Sequence, residues 1–190
     1  MQPKLYKVLK DGRSCHGGDL AYSLPTRAAD GSWVPGEWHR YEGDLRVCAA
    51  GFHLTPAPAE WWLDGAECYE AEYDDEGAIT SGDKVCVRAV RLTARLDEAK
   101  LTEFGGFGRG EHRVEQGRAW AYDSATVEAY NSATVRAYGS ATVRAYGSAT
   151  VIKFSYGVTV QLSDNAILID RGTTPPTVCG VFQIQQPEQP

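Results

Sequence analysis

Long apolar runs are missing from this 190-residue chain. No stretch approaches the roughly 20 residues that a membrane-spanning helix needs, and Met1-Gln2-Pro3-Lys4 has none of the apolar character of a secretion signal. A membrane span and a signal peptide are therefore not expected, and the expected compartment is the cytoplasm. Cysteine is scarce as well. Cys15, Cys48, Cys68, Cys86 and Cys179 form an odd set without a Cys-x-x-Cys spacing, which speaks against a disulfide framework and for reduced thiols. Cys15-His16 with Cys48 and His53 comes nearest to a zinc ligand set, but only the first pair is tightly spaced, so no metal is expected. Cations are outnumbered too: 19 Lys and Arg against 25 Asp and Glu leave a formal charge of −6. That balance disfavours nucleic acid as the main partner.

What the chain does have is a repeat. Seven consecutive segments between Gln116 and Arg171 fit one eight-residue frame, and SATVEAYN from Ser124 is followed by SATVRAYG from Ser132 and again from Ser140. Units this short cannot bury their own apolar face and must stack on their neighbours. Within a unit Ala125, Val127 and Ala129 have one parity, Thr126, Glu128 and Tyr130 the other, the period of a half-buried strand. Eight is even, so Val127, Val135, Val143 and Val151 all point the same way. Asn131-Ser132, Gly139-Ser140 and Gly147-Ser148 supply turn residues at the unit boundaries. One corner per unit makes half a coil, and two units then make a turn of about sixteen residues, stacked roughly 4.8 Å apart. A short parallel β-solenoid is predicted.

The outward parity carries ladders. Alternate units share a face, so Tyr122, Tyr138 and Phe154 stack on one side, Tyr130 and Tyr146 on the other, and Glu128 lies one rung from Arg144. Such rows stabilise neighbouring strands, and rows of Tyr and Arg also make binding surfaces. Tyr130, Arg136, Tyr138, Arg144 and Tyr146 are the candidate binding residues here. Uncapped coils invite end-to-end pairing, so self-association into a homo-oligomer is expected beside binding of a protein partner.

Ahead of the repeats, residues 1–105 read as an α+β domain. Lys4 to Leu9, Leu45 to Val47, Gly51 to Leu54, Ala66 to Tyr73 and Lys84 to Leu92 are strand candidates. Thr55-Pro56-Ala57-Pro58-Ala59-Glu60-Trp61-Trp62 has the cap, the early prolines and the acid of a helix start, and Leu96 to Phe104 is a second short helical candidate. Residues 106–115, rich in glycine, read as a hinge; 116–184 as the solenoid with a cap strand at its end, from Val178 to Ile184; and 185–190 as a disordered tail.

Tyr6-Lys7-Val8, Ser14-Cys15-His16-Gly17-Gly18, Gly36-Glu37-Trp38, Cys48-Ala49-Ala50-Gly51-Phe52-His53-Leu54, Trp61, Tyr69-Glu70-Ala71-Glu72 and Gly82-Asp83-Lys84-Val85 together resemble an uncharacterised domain family of bacteria and their phages. The resemblance covers about residues 4 to 100 and turns on a Cys-x-x-Gly-Phe-His core. Similar proteins often carry Ser-Ala-Thr-Val repeats behind that domain. The resemblance implies a phage or prophage protein of the host-cell cytoplasm and no particular activity.

A second likeness concerns chemistry. His16-Gly17, then Gly51-Phe52-His53-Leu54 running into the segment at Pro56 to Trp62, then Glu70 or Glu72 on a later strand, follow the order of motifs in ADP-ribosyltransferases. That resemblance implies an NAD site with His16 on the ribose or diphosphate, His53 nearby, an aromatic wall from Trp38 or Trp61, and Glu72 before Glu70 polarising a ribose hydroxyl. Two expectations follow. The leading one is a non-enzymatic, phage-type interaction and assembly protein that needs no cofactor; the alternative is an ADP-ribosyltransferase-like domain that binds NAD or another nucleotide. They separate on whether His16, His53 and Glu72 converge in one cleft beside Trp33, Trp38 or Trp61.

Overall fold

The structure, a computed structural model, describes residues 2–15 and 17–180. The chain divides between Lys100 and Leu101 into two compact units, and the regular elements of both are almost all strands. In chain order the first unit carries β1 (Leu5–Lys10), β2 (Arg13–Ser14), β3 (Thr26–Arg27), β4 (Trp33–Val34), β5 (His39–Arg40), β6 (Phe52–Leu54), β7 (Glu67–Tyr73), β8 (Ile79–Ser81), β9 (Lys84–Val87) and β10 (Ala89–Arg95). These form an antiparallel sheet of order β2-β1-β7-β10-β5, a second of order β6-β9-β8, and the β3-β4 hairpin. Leu5, Leu9, Leu54, Tyr69, Val87, Val90 and Leu92 pack into its core.

Among the described residues helix is confined to a 3-10 turn at Pro58–Trp61 and to α1 (Glu98–Glu103), whose start is held by Asp97 Oδ1 accepting the Lys100 N–H. The expected α+β domain is thus a β unit with little helix. Thr55 does accept the Ala57 N–H, at 2.9 Å, but Pro58 removes a donor from the next turn and the backbone is extended again at Trp62. Two strand expectations also change. Leu45 to Val47 is no strand: Arg46 and Ala50 bridge a tight turn around Cys48, which sits at φ 63°. The run from Lys84 to Leu92 breaks at Arg88, where the chain leaves the smaller sheet for the larger one and the Arg88 carbonyl accepts the Tyr41 N–H.

The position of β1 creates the feature that matters most for function. One edge of β1 pairs with β7 from Leu5↔Ala71 to Leu9↔Glu67. Its other edge has two partners, β2 alongside Leu9 and Lys10, and Thr55, which exchanges hydrogen bonds of 2.8 and 3.0 Å with Tyr6. Between them Lys7 and Val8 have no strand alongside among the described residues. The sheet opens there, and the alternation of strand hydrogen bonding turns the Val8 N–H and C=O toward the opening.

The second unit is a β-solenoid over residues 106–170. Its strands β11 (Gly106–Phe107), β12 (Glu111–Val114), β13 (Arg118–Ala121), β14 (Thr126–Ala129), β15 (Thr134–Ala137), β16 (Thr142–Ala145), β17 (Thr150–Lys153), β18 (Thr159–Leu162) and β19 (Ile167–Asp170) alternate between two parallel sheets. One strand from each sheet makes a coil, and about four coils stack. Val127 pairs with Val143 and Val135 with Val151, so the two-unit coil read from the octads is the coil observed there. The single frame does not hold to Arg171: the corner between Lys153 and Thr159 carries one residue more than the corners between Ala121 and Thr150, so Val143 pairs with Val160 and Val151 with Leu168, and the last two units are shifted by one from their expected positions. Ala125, Val127, Ala129, Val135 and Val143 are fully buried along the axis. At the corners Asp123, Asn131, Gly139, Gly147 and Asp164 hold φ between 49° and 64°. Beyond each corner an alanine N–H reaches back three residues, as Ala133 does to Tyr130 and Ala141 to Tyr138.

The stretch expected as a hinge, 106–115, is instead the first coil: β11 and β12 pair in parallel with β13 and β14. Its glycines provide space for rings. A Cβ on Gly106 would stand 2.4 Å from the Trp120 indole, and one on Gly108 would stand 2.7 Å from the Tyr122 ring. At the far end β20 (Thr177–Gly180) adds antiparallel to β19, which realises part of the expected cap. The rest of that segment, 181–184, and the tail 185–190 lie outside the described residues.

Candidate functional site

The opening beside Lys7 and Val8 is a cleft of about 320 Å³. Its walls are Tyr6, Lys7 and Val8 of β1, Ser14, Gly17 and Gly18, the Cys48, Ala49 and Gly51 turn, His53, Leu54 and Thr55, with Trp61 and Lys84 at one side. No Asp or Glu is among these described residues.

Lys7 shares strand parity with the core residues Leu5 and Leu9, so its stem is drawn inward until the side chain is only 6% exposed. Its Nζ donates to the His53 carbonyl at 3.0 Å and stands 5.2 Å from the centre of the Tyr22 ring. Burial lowers its pKa from 10.5 to about 8, with the Cys15 and Cys86 thiols acting weakly the other way. At neutral pH it is still mainly an ammonium. Lys84 is held by soft partners: its Nζ lies 4.2 Å from the centre of the Trp61 ring and 3.0 Å from Cys48 Sγ. Trp61 is in turn fixed by its indole N–H, which donates to Asp83 Oδ2 at 2.7 Å. His53 Nε2 accepts the Cys48 N–H at 2.8 Å, a bond that needs an unprotonated nitrogen. Burial first, then the charges of Lys7 and Lys84, push the His53 pKa down, consistent with that role. The fields of both lysines therefore meet at one ring.

Of the residues singled out for an NAD site, His53 and Trp61 come together in this cleft, and His16 lies outside the described residues. Glu70 and Glu72 occupy alternate positions of β7 but neither lines the cleft. Glu70 pairs with Lys4 at 3.8 Å, and Glu72 binds Arg91 at 2.6 Å, its direct cross-strand neighbour on β10. Arg91 also stands 5.1 Å from the Trp38 ring, so Glu72 and Trp38 belong to a surface cluster separate from the cleft lining. Trp33 lies beneath Arg27 at 3.9 Å. The parity of β7 was visible in the sequence; that Glu72 would meet Arg91 on β10 and Glu70 would meet Lys4, just ahead of β1, was not.

On the solenoid two of the expected aromatic stacks and the expected ion pair form. Tyr130 and Tyr146 stack at 4.8 Å, Tyr138 and Phe154 at 4.9 Å, and Glu128 meets Arg144 at 3.8 Å. Arg113 covers the other face of the first stack, 4.0 Å from the Tyr130 ring, and the Tyr130 hydroxyl donates to Glu128. Arg136 sits in the opposite sheet, in register between Trp120 and Ile152. Tyr138 is only 2% exposed, so it supports the stack and is not available as a binding residue.

Sequence reasoning missed Lys7 and Lys84. A signal for Lys7 was present, because it stands between Leu5 and Leu9 on one parity of LYKVLK, in a strand whose two faces are both buried from Leu5 to Leu9. Among the described residues no three His, Cys, Asp or Glu side chains converge on a metal position, and no helix is long and apolar enough to cross a membrane. Comparison with protein-family models, with curated proteins and with solved structures finds no match to this chain.

Proposed function

We propose that the protein is a non-enzymatic interaction and assembly module of phage type, whose solenoid presents a rigid surface to a protein partner, foremost to a second copy of itself. The observation behind this reading is the row formed by Arg113, Tyr130 and Tyr146 with Glu128 and Arg144 along one sheet. Side chains already stacked and paired lose little freedom when a partner arrives. The end of the same sheet adds to it. No strand lies beyond β18 among the described residues, which leaves a row of backbone donors and acceptors of the kind that recruits another strand. Sedimentation velocity at micromolar concentration tests this. A species heavier than the 20.7 kDa chain is expected, shifted toward monomer by Tyr146→Ser; a monomer at every concentration removes self-association.

The meeting of His53 and Trp61 in a cleft favours a second reading, an ADP-ribosyltransferase-like domain that binds NAD. For catalysis Glu72 would have to exchange Arg91 for a ribose hydroxyl. Titration with NAD, together with label transfer from NAD by wild type and Glu72→Gln, tests it. No NAD binding and equal background in both proteins would leave the interaction reading alone.

A further inference from the structure

We propose that the cleft beside β1 binds a small phosphate-bearing molecule, with the phosphate between Lys7 and Lys84 and a planar group along Trp61. This stands independently of the solenoid reading. In a chain with 25 acids against 19 cations, the cleft lining holds two lysines and no carboxylate. Lys7 is the more telling of the two. It is buried, it faces a backbone carbonyl, an aromatic ring and thiols, and no carboxylate neutralises it among the described residues. A purely structural side chain at this core parity would be apolar, like Leu5 and Leu9 on either side. A buried cation without a counter-ion is costly, and an anion in the cleft offsets that cost.

Further features fit an anion of this class. Lys7 from β1 and Lys84 from β9 approach from different walls, which suits a dianion with several acceptor oxygens. The Val8 N–H is turned toward the same opening by the strand alternation. Lys84 and the Trp61 ring are already side by side, so an anion drawn to that ammonium lays the rest of the molecule along the indole. His53, whose Nε2 is taken by the Cys48 N–H, brings no third charge to the cleft. The volume of about 320 Å³ lies at the lower end of small-ligand pockets.

Isothermal titration of the full chain with pyrophosphate, adenosine monophosphate, adenosine and malonate tests the assignment. Pyrophosphate and adenosine monophosphate should bind, adenosine should not, and malonate should bind more weakly than either phosphate compound. Lys7→Met should weaken both phosphate compounds by about thirtyfold or more, since a buried charge partner is removed. Lys84→Gln should weaken them by roughly tenfold. Trp61→Ala should weaken the nucleotide and spare pyrophosphate. The proposal is overturned if neither phosphate compound binds at millimolar concentration, if adenosine binds as well as its monophosphate, if malonate matches pyrophosphate, or if Lys84→Gln leaves affinity unchanged. Should Lys7→Met fail to fold, Lys84→Gln alone decides the outcome.

Discussion

The two units solve the burial problem in opposite ways. The solenoid repeats one solution: a small apolar pair inward, a polar or aromatic pair outward, a left-handed corner, and the same again one coil further on. The first unit repeats nothing. Its strands are two to seven residues long, its sheets are joined by single bridges and a sheet-switching arginine, and it keeps an uncompensated ammonium in its interior. Repetition spreads stability evenly and makes no position special, whereas irregular pairing leaves gaps, and a gap lined by unpaired charge is where small-molecule chemistry has room to occur.

The largest effect that would break this comparison belongs to the solenoid axis. Val135 is fully buried among alanines and valines, without a cation to meet a carboxylate in that core. Val135→Asp is expected to cost roughly 4 kcal/mol or more, because a buried unpaired acid has to be neutralised or exposed. Nearest-neighbour stacking should carry the damage along the coils. Hydrogen exchange should show lost protection in β13 to β19 while β1, β7 and β10 keep theirs. Uniform loss in both units would mean that the first unit has no stability of its own.

Legibility from sequence follows the same divide. As far as Val151 the octads exposed strand parity, coil length, corners and stacking partners, since each inference is repeated in every unit; the extra residue in the corner before β18 was hidden by laying one frame over the whole run. The hinge was misread because glycine at 106 and 108 looks like flexibility until the rings of Trp120 and Tyr122, fourteen residues further on, are seen to occupy the space. The helix at Pro56 to Trp62 had proper start signals, but nothing in those residues showed that the chain turns extended at Trp62. The cleft was least legible of all. It arises from β1 changing partners between Tyr6 and Leu9, a long-range event that no local pattern encodes, and only the parity of Lys7 hinted at it.

A smaller effect tests whether the first unit really holds a buried charge. Lys7 titrates at about 8 when folded and near 10.5 when unfolded. Between those values the unfolded chain binds a proton that the folded chain lacks, so this group makes stability rise with pH across the window. The ammonium costs the fold most below about 8, and that cost has gone above about 10.5, a swing of roughly 3 kcal/mol. Cys15, Cys86 and Tyr22 face the same side chain, and burial raises their values, so they act in the opposite sense at alkaline pH; His53 titrates lower. Comparing wild type with Lys7→Met cancels those shared contributions. From about pH 7 to about pH 10 wild type should gain roughly 2 to 3 kcal/mol relative to the variant in urea unfolding. A constant difference would show that Lys7 is solvated, and the contrast between the units would lose its electrostatic half.

The smallest effect sharpens the comparison at the level of single ion pairs. Glu128 and Arg144 are direct neighbours in a parallel ladder, 3.8 Å apart, with side chains 37% and 40% exposed. Water screens such a pair, and part of the Glu128 carboxylate is already engaged by the Tyr130 hydroxyl at 3.0 Å. A double-mutant cycle with Glu128→Gln and Arg144→Gln should give a coupling of about 0.5 kcal/mol or less, vanishing in high salt. Glu72 and Arg91 are cross-strand neighbours in an antiparallel sheet, and two guanidinium nitrogens reach one carboxylate oxygen at 2.6 and 2.7 Å while the Trp38 ring lies over the same arginine. Packing by an aromatic ring restricts the arginine before the bond forms, so less freedom is lost in making it. The same cycle there should give about 1 kcal/mol. Equal couplings, or a stronger pair in the solenoid, would mean that its ion ladder does more than decorate a core that alanine and valine already hold.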